Sequence, residues 1–199
     1  LGTLTDATNI AKLSSTQIGQ LTTTTINGLD TTQVQKLTTT QIKGLTTAQI
    51  GALTTTDVGE LATTQIAALS NAQVQALSTT NLNALTTTQT RALSGTQVAA
   101  LTTTQIGGLT TTDIGELTST QVGVLTTTQL GAVTTTQVAA LTTTQVGGLK
   151  TTQIGALTTT QLGSLDATQL GALTSVSKIN ALTATQIASL STTTISGLD

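Results

Sequence analysis

Residues 101–108 read Leu-Thr-Thr-Thr-Gln-Ile-Gly-Gly, and variants of this octapeptide fill almost the whole chain. Twenty octads follow one another without a gap from Leu13 to Ala172, and only Val133 replaces the leading leucine. Counted from that leucine, position 6 is Ile, Val or Leu in nineteen of the twenty octads, and position 5 is Gln in sixteen. A fixed short period is typical of a repeat architecture, in which neighbouring units bury one another's apolar side chains.

The order of residues inside the octad predicts a short helix. Thr at position 2 and Gln at position 5 match the capping box, in which the hydroxyl accepts from the backbone of position 5 and the Gln reaches back to the cap. Leu at position 1 and the aliphatic residue at position 6 match the hydrophobic staple that fixes the entry angle of a helix. We expect Thr102 to cap a helix of about one to two turns that stops before Leu109.

One continuous helix is excluded by geometry, because eight residues at about 100° each overshoot two turns by roughly 80°. The leucines would then spiral around the helix instead of forming one apolar face. We therefore predict an all-α repeat solenoid built from short capped helices, one per octapeptide, with about two octads in each coil. The alternative is a β-solenoid, which the β-branched residues favour, although strand alternation would place positions 1 and 6 on opposite faces.

Charges and glycines suggest which positions face solvent. In the twenty octads, charged residues occur only at positions 2, 5, 7 and 8, and never at positions 1, 3, 4 and 6. We take the first set as the solvated side and the second as the buried side. Glycine is common at positions 7 and 8, where a positive φ would end a helix, and the small residues at position 8 predict close packing between neighbours.

The array predicts a single solenoid over residues 1–199. Two units have nine residues instead of eight, at residues 4–12 and 173–181, and each carries its extra residue between the threonine cap and the apolar anchor. We expect a local bulge in both, after which the leucine series resumes at Leu13 and Leu182.

Composition excludes most chemistry. The chain has no His, Cys, Met, Pro, Phe, Tyr or Trp. The usual general base, thiolate nucleophile, soft metal ligands and base-stacking rings are therefore missing. We predict that the protein is not an enzyme and has no catalytic residue, no cofactor and no metal site. Six basic residues against eight acidic ones cannot form the basic stripe that nucleic acid requires. No apolar run approaches the roughly 18 residues that would span a membrane.

Two acidic pairs stand out, Asp57 with Glu60 and Asp113 with Glu116. Their i, i+3 spacing puts both carboxylates on one helix face, which would suit a weak cation site or an acid–base pair. The simpler interpretation, which we favour, is an Asp in the first turn of a helix, where the helix dipole stabilises its charge.

The run from Leu149 to Leu173, LKTTQIGALTTTQLGSLDATQLGAL, resembles the Leu/Thr/Gln octapeptide arrays of very large bacterial secreted and surface proteins. The resemblance implies an extracellular or cell-surface, adhesin-like or fibre-forming role and assigns no functional residue. Our first hypothesis is a structural extracellular repeat protein, a stalk, spacer or filament subunit that self-associates into fibres and can carry O-linked glycans on Thr. The alternative is a threonine-rich module that binds a glycan, ice or mineral surface.

Overall fold

The computed structural model describes residues 7–173 and 175–191, and the chain divides into two compact units, Leu1–Leu101 and Thr102–Asp199. Each unit is an array of short α-helices, one per repeat, and the described residues contain no strand. The protein is therefore an all-α repeat solenoid, as the capping pattern predicts. The β-solenoid alternative is wrong, because the residues after each cap are helical. The single solenoid over residues 1–199 stays a prediction.

The helices are four to six residues long. In the first unit they are α1 (Ala7–Ile10), α2 (Ser15–Gly19), α3 (Thr23–Asn27), α4 (Thr31–Lys36), α5 (Thr39–Gly44), α6 (Thr47–Gly51), α7 (Thr55–Glu60), α8 (Thr63–Ala68), α9 (Asn71–Ala76), α10 (Thr79–Leu82), α11 (Thr87–Ala92) and α12 (Gly95–Ala100). In the second unit they are α13 (Thr103–Gly107), α14 (Thr111–Glu116), α15 (Ser119–Gly123), α16 (Thr127–Ala132), α17 (Thr135–Ala139), α18 (Thr143–Gly147), α19 (Thr151–Ala156), α20 (Thr159–Gly163), α21 (Ala167–Gly171), α22 (Val176–Ile179) and α23 (Ala184–Ser189).

Each regular helix begins at position 3 because position 2 caps it. Thr102 Oγ1 accepts from the backbone N–H of Gln105 at 3.1 Å, and Gln105 Oε1 accepts from the backbone N–H of Thr102 at 2.9 Å. The helix that follows, α13, ends at Gly107 with Gly108 as its C-cap, before Leu109. The capping box and the helix end are therefore confirmed.

Burial inside the octad differs from the charge-based interpretation. Positions 1, 5 and 6 are buried in most described octads, whereas positions 2, 3 and 4 lie largely at the surface. Asp57, at position 5, is only 6% exposed. The interpretation fails at positions 3, 4 and 5 because the side chain at position 5 is drawn inward by hydrogen bonds, while the uncharged threonines of positions 3 and 4 face solvent.

Three octads make one coil in both units. Each helix packs on the helix three places later, as α2 does on α5 in the first unit and α13 on α16 in the second. The expectation of two octads per coil is wrong. A helix of five or six residues is only about 8 Å long, so three such sides enclose the aliphatic side chains of positions 1 and 6.

The nine-residue unit at 173–181 is accommodated within the second unit. Helix α22 begins at Val176 rather than at position 3, and its N-cap, Ser175, makes no side-chain capping bond. Ile179 is half-buried, and Leu182 is 6% exposed, so the leucine series resumes as predicted. We expected the bulge between Thr174 and Ile179, and Thr174 itself lies outside the described residues, as does the first part of the unit at 4–12.

The glycines act through close packing and not through backbone conformation. No described glycine has a positive φ, so that expectation is wrong: the chain leaves each helix through ordinary helical and extended conformations. At Gly44, an added Cβ would lie 2.4 Å from the carbonyl oxygen of Ser15 and 2.7 Å from the Ser15 Cβ. Helices α2 and α5 therefore pack backbone against backbone at this point, as the small residues at position 8 predict.

This contact gives a matched pair of glycine substitutions. Gly44→Ala forces α5 away from α2, and we expect it to lower the free energy of unfolding by about 1 to 3 kcal/mol. Gly59→Ala, in α7, meets no atom within 4 Å, and removing a helical glycine should raise that free energy by up to about 1 kcal/mol. Urea unfolding of both variants measures the difference, and equal effects would contradict backbone packing at Gly44.

Candidate functional site

The feature that recurs in both units is a buried side-chain amide between successive coils. Gln73 shows its geometry. Its Oε1 accepts from the backbone N–H of Ser70 at 2.8 Å, which completes the capping box of α9. Its Nε2 donates to the carbonyl oxygens of Ile42 and Leu45, at 2.7 and 2.8 Å, one coil earlier. We call this arrangement the amide bridge.

The two carbonyl groups belong to the end of α5, for which Leu45 is the C-cap. The last carbonyls of a helix lack the partner four residues later that interior carbonyls have; here the Ile42 oxygen also accepts from the N–H of Leu45, at 3.2 Å. One Gln side chain therefore completes the start of its own helix and the end of a helix in the preceding coil. The same Nε2 bonds to the preceding coil are made by Gln41, Gln49, Gln65, Gln89, Gln97, Gln137, Gln145, Gln153, Gln161 and Gln186. Gln169 makes a variant of the pair, to the carbonyl oxygens of Ala139 and Leu141.

Sequence reasoning predicted only the capping half of this arrangement. One feature of the sequence does indicate that the Gln N–H group is used as a donor. Glu completes a capping box as well as Gln does, yet Glu never occupies position 5 in the twenty octads. Glu has no N–H to donate when it is ionised. A preference for Gln over Glu at a capping position therefore indicates that the amide nitrogen is used.

A side chain one methylene shorter completes only one half of the bridge. Asn81 donates from Nδ2 to the carbonyl oxygen of Leu53 at 2.8 Å, and its helix α10 has no capping box. Asp57 does the reverse: its Oδ2 accepts from the N–H and the hydroxyl of Thr54, both at 2.7 Å, and it has nothing to donate to the preceding coil.

The predicted acidic pairs are engaged in separate contacts. Asp57 lies in the cap of α7, whereas Glu60 ends that helix and accepts from the hydroxyl of Thr31, one coil earlier, at 2.5 Å. Asp113 caps α14 through Thr110 in the same way as Asp57 caps α7. No three acidic side chains gather closely enough to hold a metal ion in the part of the chain that the structure describes.

Irregular residues modify the bridge at three places. In the nine-residue unit, Lys178 takes over the donor role, and its Nζ donates to the carbonyl oxygen of Gly147 in the preceding coil. At the N-caps of α8 and α19, Ala62 and Lys150 replace the threonine, so only the backbone N–H contributes, at 2.7 Å from Gln65 Oε1 and Gln153 Oε1 respectively.

The exposed surface consists largely of threonine hydroxyls. At position 2 the hydroxyl is occupied: Thr38 Oγ1 accepts from the N–H of Gln41 at 3.2 Å and donates to its Oε1 at 3.1 Å. The threonines of positions 3 and 4 also lie at the surface, as at Thr135 and Thr136, and they are not part of the capping box. An open groove in the second unit adds one cationic side chain, and it is lined by Ser119, Thr120, Gly123, Val124, Gly148 and Lys150.

A family model for the ALTTAQ repeat matches five overlapping segments of the chain, residues 26–63, 54–87, 80–111, 109–143 and 138–175. The chain belongs to the ALTTAQ repeat family. This membership confirms the tandem array that the octapeptide period predicts. No curated protein matches the chain. None of the described helices of this ALTTAQ array is long and apolar enough to cross a membrane.

Two glutamines on successive coils of the ALTTAQ array allow the stability contribution of the complete amide bridge to be separated from that of the cap alone. Gln41 is 3% exposed and makes the complete bridge, whereas Gln17 is exposed and makes only the cap, to the N–H of Ser14 at 2.9 Å. Gln41→Met keeps the side chain's length but removes the donor to the Leu13 carbonyl, one of the two donors to the Ile10 carbonyl and the acceptor in the cap, and we expect a loss of about 2 to 4 kcal/mol. Gln17→Met should cost about 0.5 to 1 kcal/mol. Chemical unfolding of both variants tests the difference, and equal losses would mean that the contact between coils contributes nothing.

The half-formed capping box at Ala62 predicts a stabilising substitution. Ala62→Thr restores the hydroxyl acceptor at the N-cap of α8, so the free energy of unfolding should rise by about 0.5 to 2 kcal/mol. Ala62→Val has nearly the same shape without the oxygen and is the control. Thermal unfolding of the two variants gives the comparison, and a Val variant as stable as the Thr variant would remove the hydrogen bond as the cause.

Proposed function

We propose that this protein is a structural element that sets a distance, as an extracellular or cell-surface stalk, spacer or filament subunit. The observation that carries the proposal is the amide bridge, which joins an octad to the junction between the octads three and four places earlier by the same pair of bonds in both units. Because the contact is local and repeats unchanged, whole coils can be added or removed without redesigning a core. An array whose length changes in whole coils is suited to act as a spacer between two attachment points.

The surface supports an assembly role within the same proposal. Net charge is −2 over 199 residues, and the solvent-facing positions 2 to 4 carry only three charges in the twenty octads, those of Asp30, Lys150 and Asp166. A repetitive surface with little electrostatic repulsion favours lateral association of copies into fibres. O-linked glycans would attach at positions 3 and 4, because the hydroxyl of position 2 is used in the cap. Electron microscopy of native material tests the fibres, and intact-mass measurement tests the glycans.

A second candidate function is a threonine-rich module that binds a glycan or mineral surface. The observation in its favour is the pair of exposed hydroxyls that recurs octad after octad. Ice binding requires a flat face of threonines on β-strands, and it loses its support because the described threonines lie at helix starts. Sedimentation with polysaccharide, ice or mineral particles separates this candidate from the first, since a spacer has no affinity for them.

Deletions within the first unit test the modular length. Removal of residues 45–68 takes out three whole octads, after which Gln73 meets the carbonyls that Gln49 uses, those of Ile18 and Leu21. We expect a cooperative fold and a maximum dimension about 8 to 10 Å shorter by small-angle scattering. Removal of residues 45–56 cuts an octad and should abolish cooperative unfolding. If the two deletions behave alike, the array is not modular and the spacer proposal fails.

A further inference from the structure

Each coil of the first unit has three corners, at which one helix ends and the next begins. Successive coils stack corner on corner, and an amide bridge joins each corner to the one a coil earlier. Two of the three corners carry a complete bridge at every described step in this unit. The donors are Gln41, Gln65 and Gln89 at one of these corners, and Gln49, Gln73 and Gln97 at the other.

The third corner lies where α3 is followed by α4, α6 by α7 and α9 by α10, and we call it the irregular corner. The position-5 residues that should bridge its described steps are Asp57, in α7, and Asn81, in α10. Asp57 has no amide N–H. Asn81 makes one bond, to the carbonyl oxygen of Leu53, where a Gln makes two. The irregular corner therefore has no complete amide bridge between α3–α4 and α6–α7, or between α6–α7 and α9–α10.

Single side-chain hydrogen bonds stand in for the missing bridge at the first of these steps. Asn27, which ends α3, donates from Nδ2 to the carbonyl oxygen of Ala52 at 2.6 Å, one coil later. The Oδ1 atom of the same Asn27 is buried without a hydrogen-bond partner, which reduces what this contact contributes to stability. The second substitute, from the Thr31 hydroxyl to Glu60 at 2.5 Å, is exposed.

Packing is also sparse beside the irregular corner. Two helix pairs next to it, α3 with α6 and α7 with α10, pack more sparsely than any other pair on successive coils of the first unit. An added Cβ at Gly59, in α7, would meet no atom within 4 Å, whereas at Gly19 and Gly51 it would lie 2.7 and 3.2 Å from a carbonyl oxygen of the next coil. Helix α7 therefore has room to move relative to α10.

We propose that the irregular corner is a hinge, at which the first unit bends while its two bridged corners keep their spacing. A bridged corner holds each coil by the two buried bonds of one amide, and the irregular corner holds it by single bonds of scattered side chains. Coils therefore separate first at the irregular corner, where the fewest favourable contacts are lost. The inference rests on the proposed role as a stalk or spacer, to which it adds bending in one preferred direction.

Spin labels on exposed threonines measure this bending. The chain has no cysteine, so a pair of Thr→Cys substitutions can be labelled without background. Thr32 and Thr80 lie beside the irregular corner, in α4 and α10, and Thr40 and Thr88 occupy the same octad position beside a bridged corner, in α5 and α11. Each pair is two coils apart, about 16 to 20 Å. Double electron–electron resonance should give a distance distribution at least about twice as wide for the irregular-corner pair.

Two sets of substitutions repair the irregular corner and then move it. Asp57→Gln with Asn81→Gln restores the residue that most octads carry, and the irregular-corner pair should then give a distribution as narrow as the bridged-corner pair. Gln65→Asp with Gln89→Asn, added to the repaired protein, places the same two residues one corner further along. The distribution of the bridged-corner pair should then widen, while that of the repaired corner stays narrow.

Hydrogen exchange on the unlabelled protein gives a second readout. The backbone N–H groups of Val58 and Leu82, in α7 and α10, should exchange at least about tenfold faster than those of Ile42 and Ile66, in α5 and α8. The repaired protein should lose this difference. Equal distribution widths at the two corners would overturn the hinge, and so would a repaired protein that keeps the wide distribution. Neither result alters the shortening expected of the three-octad deletion, so the hinge and the spacer can fail separately.

Discussion

The structure depends on a buried carboxamide that serves two helix ends at once. A helix of four to six residues is too short to be stable alone, because nucleation costs more than its few internal hydrogen bonds return. Most of its backbone groups are end groups, and burial makes each one without a partner costly. The Gln at position 5 removes both difficulties, since its oxygen serves the start of one helix and its nitrogen serves the end of another.

The apolar burial that holds the coils together and the register between the coils are therefore supplied by different side chains. The leucines and aliphatic residues of positions 1 and 6 provide the apolar surface that drives the coils together. They would tolerate small slips, because hydrophobic contact is not directional. The amide bridge tolerates none, since a shift of one residue would take Nε2 away from both carbonyls. Asn81 and Asp57 show how narrow the requirement is: each is short by one methylene, and each keeps only one side of the bridge.

The sequence was sufficient for the capping contacts within one octad, although it misplaced the threonines of positions 3 and 4 and the backbone conformation of the glycines. Thr102, Gln105 and Leu109 carry enough local information to predict the cap, the helix and its end. The coil of three octads could not be predicted in this way, because the acceptors of Gln73 lie 28 and 31 residues earlier and no local rule encodes that distance. Burial at position 5 was missed for the same reason: the charge of Asp57 indicated solvent exposure, whereas most octads carry a Gln there whose Nε2 contacts lie one coil earlier. The donor role of Lys178 was missed as well, because its acceptor, the carbonyl oxygen of Gly147, lies 31 residues earlier.

The amide bridge also has a direction along the chain. In every described bridge the donor is later in the sequence than its acceptors, by 28 to 32 residues. A chain emerging from a ribosome or a secretion pore in the N-to-C direction thus presents the carbonyls first, and each new octad finds its partners already in place. Each finished coil is a template for the next, so the array can fold progressively as it emerges, without waiting for residues still to come.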